Sequence, residues 1–368
     1  MSSPSTVSVG AAFERAPARA NAAAVARLTA LWALSESALG GVLHALKVPL
    51  MGLVMAGTAV VLITLIAHYA SRPREILRAL LLVLLVKAVG SPHSPITAYA
   101  AVTFQGLLGY AVYAIGRPGY LTSVPYAVVA MCESAVQRLL MLALFFGAPL
   151  WAAVDEWGQW VLARYFPASA GTDLSLAWGL VVGYLAVYFV GGVVVGLVAA
   201  RLPERIARER AALDAEDLDA AEAAMSTAEA AGKPPVDRAA RARWRRRRRW
   251  RAVGVAAVIA AVLALTVVAG RGGDAAPWLS AAIYVARTVA ILAAYYFFVG
   301  PWLSRAVQRW LLARRGRHAD ELEAVFAVLP RLRALAGQQW GALGREYSGV
   351  ALWRRWVVRV LALSLFVR

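Results

Sequence analysis

Eight apolar stretches, separated by short polar segments, dominate the pattern of the chain and predict an all-α, polytopic transmembrane helical bundle. A helix needs about 20 apolar residues to cross the ~30 Å hydrocarbon layer of a bilayer. We predict spans at 28–47, 50–70, 77–90, 95–115, 121–149, 175–200, 252–270 and 279–301. The third stretch is short and contains Lys87, which favours a tilted helix or one sheltered by its neighbours.

The spacing of the spans divides the chain into five segments. A cytoplasmic segment, 1–27, precedes a six-helix core at 28–200, and two further spans lie within 252–301. Between them, 201–251 is rich in Ala and acidic residues and predicts a solvated cytoplasmic helix followed by an Arg-rich run. In the basic tail, 302–368, Trp and Arg interleave over 351–367, which predicts a helix in the membrane interface. A soluble helical hairpin that docks on a partner is the alternative.

Composition supports the membrane class and excludes several others. Hydrophobic residues make up 61% of the 368 residues and charged residues only 16%, which is not typical of a water-soluble domain. The net charge of +18 does not indicate nucleic-acid binding, because the Arg residues cluster beside apolar spans. The single cysteine, Cys132, excludes an intramolecular disulfide and a thiolate metal cluster. The first 27 residues lack an apolar core, so we expect no cleavable signal peptide.

Arginine residues alternate between loops and predict the orientation. Loops at the predicted inner face contain Arg15, Arg19, Arg27, Arg72, Arg74, Arg78, Arg117, Arg201, Arg205, Arg208 and Arg210. The intervening loops, including 150–174, are poor in Arg. Because cytoplasmic loops carry the excess of Lys and Arg, we predict a cell-membrane protein with both termini and 201–251 in the cytoplasm. Arg305, Arg309 and Arg314 in the tail fit the same side.

The run WRRRRRWR at 244–251 predicts contact with anionic lipid headgroups. Each basic residue near such a surface contributes about 1 kcal/mol of attraction. We expect replacement of the five arginines by Gln to weaken insertion or partner docking while solute binding stays unchanged. The residues concerned are Arg245, Arg246, Arg247, Arg248 and Arg249.

Polar residues inside the spans are the candidate functional groups, because charges in a bilayer are costly unless they are paired or face water. At about 100° per residue, Glu36 and Lys47 lie about 20° apart on span one and His44 about 80° from Glu36. Lys87 and His93 are expected at the same outer level, and Gln105 lies deeper. We predict an outward-opening cavity for a small anionic or zwitterionic solute, lined by Glu36, His44, Lys47, Lys87, His93 and Gln105.

A structural role is the alternative for several of these groups. Glu36 with Lys87, and Glu133 with Gln137, would then be polar pairs that fix helix packing. For Glu133, Gln137 and Arg138 we favour the structural interpretation. For the residues of span one and for Lys87, both interpretations stay open.

Enzyme motifs give little support to catalysis. The sequence has no Gly-x-Ser-x-Gly elbow, no His-Glu-x-x-His helix and no Walker loop, so serine hydrolase, zincin and ATPase activities have no motif behind them. His44 and His93 with Glu36 are of the right type for zinc, but their spacing does not specify a site. We expect no metal and no cofactor.

Residues 20–200 combine six short hydrophobic helices, a Gly-rich polar first span and the Pro-rich outer loop GSPHSP after span three. In these features the chain resembles the substrate-binding S component of energy-coupling factor (ECF) vitamin transporters. The resemblance implies a ligand pocket near the outer leaflet that maps onto Glu36, His44, Lys47 and His93.

The same resemblance implies a docking surface and an energy source. In that family, small residues spaced by four on the first helix contact the coupling helices of a transmembrane partner, and Ala22, Ala26 and Ala30 match this spacing. A separate cytoplasmic ATPase would act through that partner. The segment 201–368 has no counterpart in a minimal S component.

Three functions follow from these observations. The leading hypothesis is binding or uptake of a small solute, energised by a separate ATPase complex. The alternative is a non-transporting membrane scaffold or assembly factor that docks cytoplasmic partners through the insert and the tail. The third is a membrane enzyme acting on a lipid-linked substrate, which would require Glu36, His44 and His93 to converge.

Overall fold

The computed structural model describes residues 18–39, 50–91, 94–165, 175–230 and 277–366, and the regular secondary structure in these ranges is helical. The all-α prediction is therefore confirmed. Two π-helical segments, Ser35–Leu39 and Tyr295–Val299, follow α1 and α9 directly. The helices are α1 Ala18–Leu34, α2 Met51–Tyr69, α3 Arg74–Gly90, α4 Ile96–Ile115, α5 Tyr120–Phe146, α6 Ala148–Tyr165, α7 Leu176–Ala212, α8 Ala215–Ala230, α9 Pro277–Ala294, α10 Gly300–Leu312, α11 Ala319–Leu343 and α12 Gly349–Phe366.

Five helices within the described residues are long and apolar enough to cross a membrane. They are Met51–Tyr69, Ile96–Ile115, Tyr120–Phe146, Leu176–Ala212 and Ala286–Leu312. They correspond to the predicted spans 50–70, 95–115, 121–149, 175–200 and 279–301. The chain is therefore an integral, multi-pass membrane protein. The predicted span 252–270 and the run Arg245 to Arg249 lie outside the described residues.

The centre of the bundle is built by α1, α2, α3 and α4. Side chains such as Trp32, Ile63, Ile76 and Leu85 are fully buried there. The short helix α3 is enclosed by α1, α4, α10 and α11. This enclosure explains how a 17-residue helix that contains Lys87 is accommodated.

The closest helix packing joins α5 to α7 through two glycines spaced by four. A Cβ atom added to Gly192 would lie 2.7 Å from the Val128 Cα, and one added to Gly196 would lie 2.6 Å from the Val124 Cα. Small residues at this spacing allow membrane helices to approach backbone to backbone. The remaining faces of α5 and α7 expose apolar side chains, including Leu121 and Phe189, as lipid-facing helices do.

Two boundaries differ from the prediction. The segment 150–174, predicted as an outer loop, begins with helix α6, and Asp155 on α6 accepts hydrogen bonds from the Ser175 hydroxyl (2.9 Å) and the Ala177 N–H (2.8 Å). The helix was missed because its acidic residues lower the local hydropathy. Helix α7 continues past residue 200 to Ala212, because the charged residues that follow the apolar part are themselves good helix formers.

The tail forms a hairpin of α11 and α12 that packs on the same chain. The hairpin contacts α1, α7 and α8, and the Trp356 indole donates to the Ala336 carbonyl across it (2.8 Å). Arg359 pairs with Asp217 on α8. This tail hairpin fits the predicted helical hairpin better than it fits an isolated interfacial helix. It docks, however, on the chain itself and not on a partner. Its position relative to the membrane stays a prediction.

The first and last helices are joined at one end of the bundle. Arg27 on α1 donates to the Ser364 carbonyl in the last turn of α12 (3.0 Å), where helix carbonyls lack intrahelical partners. Burial, together with the nearby charge of Arg331, lowers the pKa of Arg27. The start of α1, the end of α12 and helix α8 therefore lie at the same end of the bundle, which we call the Arg27 end.

Helix α10 departs from the predicted arrangement of the tail. The Ser304 hydroxyl donates to the Ser94 carbonyl (3.3 Å), and the Gln308 amide lies 3.5 Å from the Tyr99 hydroxyl. Ser94 precedes α4 at the end of the bundle opposite Arg27, so Arg305 and Arg309 on α10 do not join the arginines at the Arg27 end. Helix α10 stays there because it packs on α3 and α4, and α11 then returns toward α8.

Candidate functional site

A buried ion pair between α1 and α3 is the main feature at the predicted site. The Lys87 ammonium donates to the Glu36 Oε2 atom at 2.8 Å and to the Glu36 backbone carbonyl at 3.2 Å. Glu36 is 6% exposed and Lys87 is 3% exposed. The structure therefore brings together two of the six predicted solute-binding residues, in the pairing that the structural interpretation also requires.

The local backbone explains how Glu36 reaches Lys87. Glu36 lies in the π-helical segment Ser35–Leu39, whose wider turn changes the direction of the side chains that follow α1. Two hydroxyls bond back to the preceding turn, Ser35 to the Trp32 carbonyl (2.8 Å) and Ser37 to the Ala33 carbonyl (2.6 Å). Such back-bonding often bends helices. π-Helical turns also occur frequently at functional sites.

The electrostatics of the ion pair are balanced. One ammonium and one carboxylate have no net charge together, and the second bond from Lys87 to a carbonyl satisfies another of its three donors. A site of this kind can exchange one partner for an external group of the same charge. It can also hold α1 against α3 without any ligand.

Gln105 is buried but does not lie beside the ion pair. The neighbouring Gly106 packs against Leu80 on α3, since a Cβ atom at Gly106 would be 2.7 Å from the Leu80 Cδ1. Leu80 precedes Lys87 by seven residues, or about 10 Å along the helix. Gln105 therefore lies deeper in the bundle, as the sequence predicts. Its backbone carbonyl accepts a hydrogen bond from the Tyr126 hydroxyl (3.1 Å).

Several predicted residues lie outside the described part of the chain. They are His44, Lys47 and His93, so their place at the solute site stays a prediction. Within the described residues, no group of three or more His, Cys, Asp and Glu side chains is arranged to hold a metal ion.

The three alanines of the predicted partner surface differ in exposure. Ala22 and Ala26 are exposed, whereas Ala30 is fully buried among the helices around α1. A partner that docks on this part of α1 would contact the first two residues. The coupling role of this surface stays a prediction.

A second set of polar groups follows the boundary between α4 and α5, and we call it the polar row. The Gln137 amide donates to the Thr97 carbonyl (2.9 Å), so Gln137 does not form the predicted pair with Glu133. Toward the other end of α4, the Tyr113 hydroxyl lies 2.7 Å from the Thr64 Oγ1 and 3.1 Å from the Ser123 Oγ. The sequence analysis did not select these hydroxyls, although hydroxyl residues inside apolar spans could have indicated a polar contact between helices.

Glu133 lies within the polar row on α5. Its Oε2 atom is buried and has no hydrogen-bond partner among the residues that the structure describes. Arg138, five residues further along α5, is exposed. Among the described residues, Glu133 therefore has no hydrogen-bonded partner with which to form the predicted packing pair.

Comparison with known proteins gives no relative from which a function could be transferred. No family model matches the chain, no curated protein matches it and no solved structure matches it. The features that bear on function are therefore those of the chain itself: it is a multi-pass helical membrane protein with a buried Glu36–Lys87 ion pair and a polar row between two of its spans.

Proposed function

We propose that the protein binds, and in its cell takes up, a small solute at the Glu36–Lys87 ion pair. The observation that supports the proposal most strongly is the Lys87 ammonium bonded to both the side chain and the backbone of Glu36, with each residue less than a tenth exposed. Ionisable residues inside a membrane bundle are rare, and they mark substrate or ion pathways.

Energetics favour a role beyond packing. Burying two charges costs several kcal/mol per ion, and apolar residues of similar volume often hold two helices together equally well or better. Helices α1 and α3 already pack against each other, and Leu28 on α1 and Val83 on α3 are both buried in the same apolar core. The ion pair is therefore a costly way to join two helices, and a ligand-binding role accounts for its presence.

The balanced charge of the pair narrows the class of solute. A simple anion that displaced the Glu36 carboxylate from Lys87 would leave Glu36 buried without a partner. A zwitterion avoids this cost, because its anionic group bonds Lys87 while its cationic group bonds Glu36. We therefore favour a zwitterionic solute within the class of small anionic or zwitterionic molecules.

Uptake requires an energy source outside this chain in our proposal. The sequence has no Walker loop, and the resemblance to S components implies a separate ATPase complex that acts through a membrane partner. Ala22 and Ala26 are the exposed residues at which that partner would contact α1.

The test is a binding screen on the purified protein in lipid nanodiscs. A panel of small zwitterions, anions and cations is assayed for ligand-induced thermal stabilisation and for affinity. Lys87→Met should lower the affinity of an active compound ten- to a hundredfold, because it removes one charge-assisted hydrogen bond that contributes about 1.5–3 kcal/mol. Arg78→Met is the matched control, because Arg78 is an exposed cation on the same helix and should leave affinity unchanged.

Two results would contradict the proposal. One is equal loss of affinity in the Arg78 and Lys87 variants. The other is a panel in which no compound distinguishes the wild type from Lys87→Met, while the double variant with Glu36→Gln recovers full stability. The second result would assign the pair to helix packing alone.

A scaffold function is the second candidate, and the surface of the tail hairpin favours it. Trp353 is 56% exposed beside Trp340 and Trp356, with ring centroids 4.8 Å and 5.3 Å away. The exposed Arg354 follows on the same helix. Aromatic residues and arginine are enriched at protein interfaces. Deleting the tip of the tail hairpin would then prevent a partner protein from co-purifying with the chain, whereas solute binding at Lys87 would persist.

A further inference from the structure

The polar row extends through most of the bundle thickness. Its first bond joins Gln137 to the Thr97 carbonyl near one end of α4, and its last joins Tyr113 to Thr64 and Ser123 near the other. Thr97 and Tyr113 are 16 residues apart on α4, or about 24 Å, against a hydrocarbon layer of ~30 Å. Polar groups are therefore present at several depths along one helix boundary.

Glu133 lies within this row, about one helical turn from its Gln137 end. On α5 it follows Tyr126 by seven residues and precedes Gln137 by four, so it is about 20° and 40° from them around the helix. Both neighbours bond to carbonyls of α4, at Gln105 and Thr97. The carboxyl group of Glu133 therefore belongs to the α4–α5 boundary, where its Oε2 is buried without a hydrogen-bond partner among the described residues.

A partner for a negative charge is missing around Glu133 in the described part of the chain. Helix α2 has no ionisable side chain between Met51 and His68. The ionisable groups on the elements packed against α5, and on α5 itself, are engaged elsewhere, exposed or weakly acidic hydroxyls and a thiol. They include Tyr99, Tyr110, Tyr113 and Tyr126, then Cys132 and Arg138, then Asp155 and Glu156 on α6, Tyr184 and Tyr188 on α7, and Arg287 on α9. None of them bonds Glu133.

We propose that Glu133 is a proton-binding site inside the membrane, loaded at neutral pH and reached through the polar row. Glu133 as a residue is partly exposed, but its Oε2 atom is buried without a hydrogen-bond partner among the described residues. Burying an ionised carboxylate oxygen without a partner is more costly than burying a neutral carboxyl group, so a proton is the ligand that this position fits. Loading forms one O–H bond between a carboxylate oxygen and a proton, and unloading breaks it. No other bond changes and no co-reactant is needed.

The proton site goes beyond the proposed solute binding and does not depend on it. Glu36 and Glu133 are both carboxyl groups in the bundle. Lys87 neutralises the first at 2.8 Å, whereas no cation among the described residues pairs with the second. Within the described residues, the chain thus contains one ion-paired carboxylate and one without a paired cation. This contrast supplies an internal control for the experiment.

The experiment uses the full-length protein in lipid nanodiscs and a hydrophobic carbodiimide, which reacts with protonated carboxyl groups in apolar surroundings. Sites of modification are located by peptide mass spectrometry across a pH series. We expect modification at Glu133 that declines as pH rises, and none at Glu36. Modification of Glu36 but not Glu133 would overturn the proposal.

Infrared spectroscopy of the same samples provides a measurement that does not depend on reagent access. The C=O stretch of a protonated carboxyl should be present at neutral pH, absent in Glu133→Gln and retained in the matched variant Glu36→Gln. Gln has nearly the shape of Glu, so the variant tests the proton and not the fold. A spectrum that is unchanged by Glu133→Gln at every pH would overturn the proposal, and neither result depends on identifying a solute.

Discussion

The sharpest prediction concerns what happens when Lys87 loses its charge. In Lys87→Met, the Glu36 carboxylate is left buried without its cation, and the protein has to bear the unpaired charge or take up a proton. Breaking a buried pair by removing one partner typically costs 3–5 kcal/mol. Neutralising a glutamate by protonation at pH 7 costs about 3.7 kcal/mol, from 2.7 pH units at 1.36 kcal/mol each. We therefore expect a loss of about 3–4 kcal/mol in unfolding free energy.

The double variant isolates the interaction itself. With Glu36→Gln added, both charges are gone and the amide can still accept or donate one hydrogen bond, so most of the stability should return. Because protonation becomes cheaper by about 1.4 kcal/mol for each unit of lower pH, the deficit of Lys87→Met should shrink in acid. The deficit of a variant with only a packing defect should not.

The assay is reversible unfolding in detergent micelles for the wild type, both single variants and the double variant, at neutral and mildly acidic pH. The coupling energy of the cycle is the quantity to compare. Lys87→Met at wild-type stability, or single-variant losses that simply add in the double variant, would refute the assignment of a buried, mutually dependent pair.

Three further predictions follow from the packing and the orientation. Gly192→Ala should cost about 1–3 kcal/mol in thermal unfolding because its Cβ would meet the α5 backbone, whereas Gly179→Ala, with nothing within 4 Å, should not destabilise. In a Cys132→Ala background, Trp157→Cys should react with an impermeant maleimide in intact cells, and reaction only after permeabilisation would reverse the predicted orientation. Arg27→Gln should lower the local stability of the last turn of α12 by about 1 kcal/mol, which would be measured as faster amide hydrogen exchange in that turn. Unchanged exchange would contradict a stabilising role for the Arg27–Ser364 bond.

Membrane character was predictable because hydropathy averages over whole spans. A stretch such as 50–70 remains apolar even when single residues in it are polar, and α2 appears where the sequence predicts it. Helix α6 was not predictable in this way, because Asp155 and Glu156 lower its average. These acids cost little there, since Asp155 bonds the start of α7.

Polar pairs inside the bundle were harder to predict than the spans. The sequence indicated Glu36 with Lys87 and Glu133 with Gln137 by equivalent arguments, yet the first pair is present and Gln137 bonds Thr97 instead. The choice depends on which backbone carbonyl lies within reach, and this is a property of helix packing. The α5–α7 contact could have been predicted from the sequence, because Gly192 and Gly196 are spaced by four.

The bond from Arg27 to the Ser364 carbonyl joins residues 337 positions apart in the sequence. At a synthesis rate of about 5–20 residues per second, the first helix waits roughly 17–67 s for the last one to leave the ribosome. Throughout that interval the surface of α1 that the tail hairpin later covers remains exposed to other chains and to chaperones. Docking of α12 on α1 is therefore a late step of folding, and a truncation that removes α12 would leave its docking surface on α1 uncovered.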